Sequence, residues 1–372
     1  MNNSYPKGPR YTDLVASLPG TVPFVDPETQ ERGLGAVFKA RLGANENVFG
    51  PSPKAVAAMQ AADADLWMYG TADSFDLKNA LAARYGIATE NIVVGEGIDG
   101  LLGYLVRLLV TQGDRVVTSH GAYPTLNYHV AAYGGALVTV PFNGNYEDPA
   151  ALVAKAAEVG AKLIYLANPD NPMGTVHDAA TIQTAIEAVP NGSVLLLDEA
   201  YVEFAPIGTA VPFDTSDPRV IRMRTFSKAY GLAGVRVGYA IGHQGLIKSF
   251  DKIRNHFGLG RSGQIGALAA FEDQDYLAEV LAKVADARDR IARIATDNGL
   301  KPIPSATNFV TMNCGRDADF AAALVDDLTD RGVFIRRPFV APYTRCIRVS
   351  AGRMQDLDVF EAALPIALKA II

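Results

Sequence analysis

Between residues 91 and 241, short apolar and β-branched runs alternate with helical patterns, and no other feature of the chain restricts its fold as strongly. Strand-like runs cover 91–94, 115–119, 136–141, 162–167, 193–197 and 237–241, another opens at Val220 just before Lys228, and helical patterns cover 101–110, 124–132, 149–158 and 179–188. This alternation predicts an α/β fold, a mostly parallel sheet sandwiched by helices. In such a sheet ligands bind outside the carboxyl ends of the strands. Polar and small residues collect at those ends: Gly95–Gly100, Asn168–Gly174, Asp198–Tyr201 and Thr225–Gly231.

The flanks read differently. Residues 1–42 are rich in Pro, Gly and polar types and are expected to form an N-terminal arm lying on the body or on a partner subunit. Ser52 before Pro53 has the form of an N-cap with proline at the first helical position, starting a helix through Met59. Asp73–Tyr85 reads as a second helix. After about residue 260 the texture changes: Ser262–Ile294 is helical in pattern, followed by short strands at 308–313, 333–336 and 347–350 and helices at 320–329 and 357–372. The expected organisation is an arm (1–42), a large domain (43–260) and a smaller α+β C-terminal domain (261–372).

Composition limits the function classes. Hydrophobic residues make up 49% and charged residues 20% of the 372, with a net charge of −6, which argues against nucleic acid as an electrostatic partner. No run approaches the roughly 20 apolar residues of a membrane helix, and the polar N-terminus lacks a signal-peptide core. The two cysteines, Cys314 and Cys346, have no metal or redox spacing, and the five histidines have no ligand spacing. The expectation is a cytoplasmic protein with no metal.

The strand ends carry the chemistry. Lys228 stands just past the strand beginning at Val220, among small residues and apolar strands, where an amine loses its proton more readily than in water; a Schiff-base lysine requires this. Asp198 closes an apolar strand, and a carboxylate there needs a cationic partner such as a protonated ring nitrogen. Gly97-Ile98-Asp99 precedes a helix whose free N–H groups suit a phosphate, to which Thr225, Ser227 and Arg236 can add hydroxyls and a forked cation. Tyr201 and Asn171 can donate to a phenolate oxygen, and Tyr123 can stack on a ring. Singly, each has a plain structural explanation: a helix cap, a core aromatic, a surface ion pair, a turn. Together they form a socket for an aromatic, phosphorylated, carbonyl-bearing cofactor.

Asn168-Pro169-Asp170-Asn171-Pro172-Met173-Gly174, then Asp198-Glu199-Ala200-Tyr201, then Ser227-Lys228 with Arg236, resembles the pyridoxal-phosphate-dependent aminotransferases of fold type I, most of all the histidinol-phosphate aminotransferase branch. The similarity runs from Ala44-Asn45-Glu46-Asn47 to Cys346–Gly352. It implies pyridoxal 5′-phosphate bound through Lys228, with Asp198 on the pyridine nitrogen, Tyr201 and Asn171 on the ring oxygen, and Tyr123 stacked. Ile98, Asp99, Thr225, Ser227 and Arg236 are then implied at the phosphate. Tyr69 matches a family tyrosine that reaches the neighbouring subunit's cofactor, which implies a homodimer. Arg348, joined by Arg336, is implied to bind amino acid and keto acid substrates, glutamate being the expected donor; Asn47 is a further substrate-binding candidate. Met173 departs from the usual threonine, Met68-Tyr69-Gly70 from Arg-Tyr-Pro, and Phe24 from a substrate-binding tyrosine. The acceptor therefore stays open among imidazoleacetol phosphate, an aromatic keto acid and some other keto substrate. Decarboxylation of the threonine-phosphate type is an alternative. A more distant one, a nicotinamide-dependent oxidoreductase, rests on the glycine pattern of 95–100, but no acidic residue ends the next strand.

Overall fold

The computed structural model describes residues 8–20 and 25–371; Phe24 lies outside them. Twelve strands occur among these residues: β1 (Ala40–Arg41), β2 (Ile92–Gly95), β3 (Arg115–Ser119), β4 (Ala136–Val140), β5 (Leu163–Ala167), β6 (Val194–Asp198), β7 (Val220–Thr225), β8 (Gly238–Gly242), β9 (Lys301–Pro302), β10 (Phe309–Asn313), β11 (Val333–Phe334) and β12 (Cys346–Ser350). Seven of them form the central sheet in the order β2-β8-β7-β6-β5-β3-β4. Its internal pairs are parallel except those made by β8, which runs antiparallel to both β2 and β7.

Both faces of the inner sheet are covered, which explains why β2, β5 and β6 read as near-continuous apolar runs. Tyr165 and Leu196 point to one face, where Leu101, Leu102, Leu105 and Val106 of the helix Gly97–Leu109 pack. Ile164, Leu166, Leu195 and Leu197 point to the other, against the helices Pro149–Val159 and Ala179–Glu187. Ser52 caps the helix Pro53–Ala61, as its sequence predicts.

Three boundaries differ from the sequence reading. The arm contains two short helices, Asp13–Ser17 and Pro27–Leu34, capped by Thr12 and by Asp26 with Pro27; they are too short to show an apolar period. The helical stretch from 262 breaks at Asp273, whose carboxylate is drawn to Ser52 Oγ (2.5 Å) and Lys54 Nζ (2.7 Å). That leaves Arg261–Glu272 packed on the helices Pro53–Ala61 and Phe75–Tyr85. Residues 40–41 pair with β11 and so join the C-terminal unit. That unit otherwise consists of the sheet β12-β10-β9 with the helices Gln274–Asp297, Ala318–Asp330 and Met354–Ala370. No described helix is long and apolar enough to cross a membrane.

One buried ion network fixes the strand that delivers Lys228. Arg222 and Arg224, on the same face of β7, both reach Glu199: Arg222 Nη2 donates to Oε1 at 2.6 Å and Arg224 Nε to Oε2 at 2.8 Å. Phe213 lies under both guanidinium groups, at 4.1 and 4.9 Å. Removing the acid strands two buried cations, a cost of about 3–5 kcal/mol. Glu199→Ala should therefore lower the urea midpoint sharply. A midpoint within error of the parent would show that the network contributes nothing.

Candidate active site

The carboxyl ends of the parallel strands open into a cavity of about 390 Å³ between the two domains, and its lining includes Ile98, Asp99, Tyr123, Asn171, Asp198, Tyr201, Thr225, Ser227, Lys228, Arg236, Arg336 and Arg348. Twelve of the residues singled out from sequence therefore converge there. Two do not. Asn47 turns away: its Nδ2 donates to the Ala229 carbonyl (2.9 Å) and its Oδ1 accepts from Phe49 N–H (3.1 Å), so it pins a loop instead of facing the cavity. Tyr69 is 78% exposed, with its ring 4.9 Å from that of Phe257, and it does not line this chain's cavity.

Asp198 ends β6 on the face that carries Tyr165, and both are buried. Its Oδ2 accepts from Tyr165 Oη (2.7 Å) and its Oδ1 from Ala200 N–H (3.0 Å). Burial pushes its carboxyl up to about 6 against these two donors, so a cation placed beside it would restore the ionised form. Lys228 follows the end of β7, its Nζ 3.3 Å from the Asn45 carbonyl and 5.8 Å from the Tyr201 ring. Burial, aided by the positive charge of Arg348, lowers its ammonium to about 8. The Tyr201 hydroxyl accepts from Asn45 Nδ2 (3.1 Å), and burial holds the phenols of Tyr201 and Tyr123 up at about 12, fully protonated at neutral pH.

The phosphate-type corner is built from backbone. The helix Gly97–Leu109 begins without a side-chain cap, so its first N–H groups, including those of Ile98 and Asp99, are available to a ligand. Gly97 has φ +74°, and a Cβ there would come within 2.6 Å of Arg236 Nη2, so only glycine lets the guanidinium lie against this turn. Arg236 Nη1 donates to Ser227 Oγ (3.2 Å), and the Ser227 backbone N–H donates to Thr225 Oγ1 (3.0 Å). Asp99 Oδ2 lies 3.3 Å from Arg236 Nη2 in a half-exposed pair.

Across the cavity the small domain contributes two adjacent arginines. Arg336 and Arg348 exchange backbone hydrogen bonds, Arg348 N–H to Arg336 O at 2.6 Å and Arg336 N–H to Arg348 O at 3.2 Å. Arg348 Nη1 donates to Asn171 Oδ1 (2.5 Å), while its buried Nε has no hydrogen-bond partner. Arg336 Nη2 donates to the Val25 carbonyl (2.6 Å), tying the arm to the site. An orphaned guanidinium donor at the cavity suits an incoming carboxylate.

Sequence reasoning missed Asn45 and Tyr165. Asn45, itself at φ +54°, joins Tyr201, Ser350 and Lys228, and Tyr165 supplies the hydroxyl on Asp198. The signal for Tyr165 was a tyrosine in an otherwise aliphatic strand. Met173, the departure from the usual threonine, is fully buried among Phe142, Ile303, Tyr343 and Cys346, so it packs and does not face the site.

These residues suit pyridoxal 5′-phosphate. An amine of low proton affinity, a buried acid, an uncapped helix start beside an arginine, and hydroxyl and amide groups converge on one space. In the protein without cofactor, acetylation of Lys228 should rise through pH 8, because only the neutral amine reacts. Pulse labelling read by mass spectrometry would show this; half-maximal labelling only above about pH 10, the range of a solvated lysine, would contradict the low proton affinity.

Comparison with known proteins agrees with this geometry. Residues 39–364 match the family model described as aminotransferase class I and II. The histidinol-phosphate aminotransferase 2 of Caulobacter vibrioides is 35% identical over 338 residues, covering 90% of this chain and 88% of that one. The histidinol-phosphate aminotransferase of Anaeromyxobacter sp. is 34% identical over 357 residues, 94% of this chain and 96% of that one. The crystal structure of histidinol-phosphate aminotransferase from Sinorhizobium meliloti in complex with pyridoxal-5′-phosphate superposes with a TM-score of 0.95 at 51% identity, covering 98% of each chain. A strand-end lysine, a buried aspartate on the neighbouring strand and a match spanning both domains lead to one assignment: the chain belongs to the class I and II aminotransferase family.

Proposed function

We propose that the protein is a pyridoxal-5′-phosphate-dependent aminotransferase of the histidinol-phosphate type, acting on amino acid and keto substrates as a homodimer. The observation that carries this reading is the meeting of Lys228, its ammonium lowered to about 8, with the buried Asp198 carboxylate in one cavity. The names and full-length identity of the relatives support the substrate class.

When bound, the cofactor supplies an electron sink for bond cleavage at the substrate α-carbon. Lys228 holds its aldehyde end and afterwards moves the proton at the substrate α-carbon, a task its low proton affinity suits near neutral pH. Asp198, steadied by Tyr165 and the Ala200 N–H, keeps a proton on the ring nitrogen. Tyr201 and Asn171 hold the ring hydroxyl, and Tyr123 covers the ring face. The N–H groups of Ile98 and Asp99, with Thr225, Ser227 and Arg236, hold the phosphate. Arg348 takes the carboxylate of the donor through a fork whose Nε is already free of other bonds, and Arg336 stands beside it for the acceptor's distal anion.

A second copy accounts for an otherwise costly surface. Leu66, Trp67, Tyr69, Phe75 and Phe257 are 55–81% exposed, and the rings of Tyr69 and Phe257 lie close together. In a dimer this face is buried and Tyr69 extends to the neighbouring cavity. A reducing, cytoplasmic setting accords with two buried, unpaired cysteines.

Lys228→Ala should abolish turnover with every donor; retained transamination would remove the residue from its role. Arg348→Ala should raise the donor KM by about tenfold or more, the loss expected for a charge-assisted pair, in half-reactions followed by the cofactor's absorbance. An unchanged KM would exclude Arg348 from carboxylate binding. Running the same half-reactions with histidinol phosphate, phenylalanine and tyrosine identifies the second substrate, and carbon dioxide release in place of keto product would establish decarboxylation instead.

A further inference from the structure

Behind the cavity wall two carboxyl groups meet that the chemistry above does not use. Glu147 and Asp170 are 1% and 2% exposed. Glu147 Oε2 accepts from Ser119 Oγ (2.6 Å) and its Oε1 from Ala167 N–H (3.3 Å). Asp170 Oδ2 accepts from Met173 N–H (2.9 Å), while its buried Oδ1 has no donor among the N–H and hydroxyl groups around it. The two carboxyl groups lie close enough to interact, and acids buried together in this way cannot both ionise, so the pair keeps a proton well above the ordinary carboxylate range.

The pair sits at a junction of the segments that shape the cavity. Ser119 ends β3 and leads through Gly121 to Tyr123. Ala167 ends β5 as the register partner of Asp198. Asp170 directly precedes Asn171, whose Oδ1 receives Arg348 Nη1. The Asp170 N–H and carbonyl close the same loop on Thr175 and Gly174.

We propose that Glu147 and Asp170, joined by one shared proton, are a positioning pair that holds Asn171 against Arg348 and so sets the affinity for the substrate carboxylate. The proposal rests on the carboxylate-binding role of Arg348. Losing the shared proton places two negative charges in contact inside the fold, which forces the loop away from β3 and β5. Burial pushes Asp170 up to about 7 and Glu147 well above the carboxylate range, so separation belongs to the alkaline side. The other ionisable groups facing the pair are Arg348, whose charge favours the ionised Asp170, Tyr165 and Tyr343, whose phenols burial keeps protonated, and His177, whose Nε2 bonds the Glu147 carbonyl at 2.8 Å.

Two isosteric changes separate this from a merely structural role. In Asp170→Asn or Glu147→Gln an amide N–H replaces the shared proton and cannot be titrated away. Donor KM and kcat of the holoenzyme would be measured from about pH 6 up to the alkaline limit of the folded enzyme, the direction in which the pair loses its proton. In the parent protein KM should climb with pH by about tenfold while kcat moves less, and in both amide variants the climb should disappear. Asp170→Ala, which leaves the Glu147 carboxyl without its partner, should raise KM already at neutral pH. A KM climb in Asp170→Asn that matches the parent, or an Asp170→Ala enzyme with the parent's KM, overturns the proposal. If Arg348→Ala itself leaves KM unchanged, the fault lies in the carboxylate role of Arg348 and the positioning idea falls with it.

Discussion

A charged group taken out of water must find a partner, and the placing of charges at the carboxyl ends of the central strands follows from that constraint. Within the body one cluster is satisfied internally, since Glu199 receives both Arg222 and Arg224. At the cavity the charges are satisfied only in part. Asp198 has two hydrogen bonds yet is pushed up to about 6, Lys228 is lowered to about 8, and Arg348 keeps a buried Nε without a partner. This incomplete pairing of three charged groups around one space marks the place where a ligand completes the electrostatics.

The sheet makes the arrangement rigid. Parallel strands bury both faces, so alternate residues of β5 and β6 are held by helices above and below. Tyr165 and Asp198 share a face because the parallel register places Ala167 opposite Asp198 and Tyr165 opposite Leu196. A hydroxyl on β5 thereby reaches a carboxylate on β6 without any loop between them. The antiparallel β8 brings Gly238 against the backbone of Gly97 and Ile98, where a Cβ would come within 2.9 Å, and so holds the helix start close to β7.

The small domain completes the site by closing on it from the other side. The backbone ladder between Arg336 and Arg348 fixes two cations side by side, and the Val25 carbonyl anchors the arm to one of them. Asn171 joins the two domains, since it belongs to a loop of the large sheet while its amide oxygen receives an arginine of the small one. Any displacement of the 168–174 loop is therefore felt at Arg348.

Local sequence determined much of this protein. The period of apolar residues defined nearly every strand of the central sheet to within a residue or two, because strands buried on both faces tolerate no other pattern. The chemical residues at the strand ends were legible for the same reason: Asp198, Lys228 and Arg236 break an apolar text where nothing in the core can use them. Tertiary structure alone decided the rest. Asn47 and Asn45 stand two residues apart in one loop, and only packing shows that the first holds the Ala229 carbonyl while the second holds Tyr201. The break at Asp273 depends on Ser52 and Lys54, more than two hundred residues away in sequence. The pairing of Glu147 with Asp170 likewise needs the fold, because contact between two acids, unlike an apolar period, leaves no local trace in the chain.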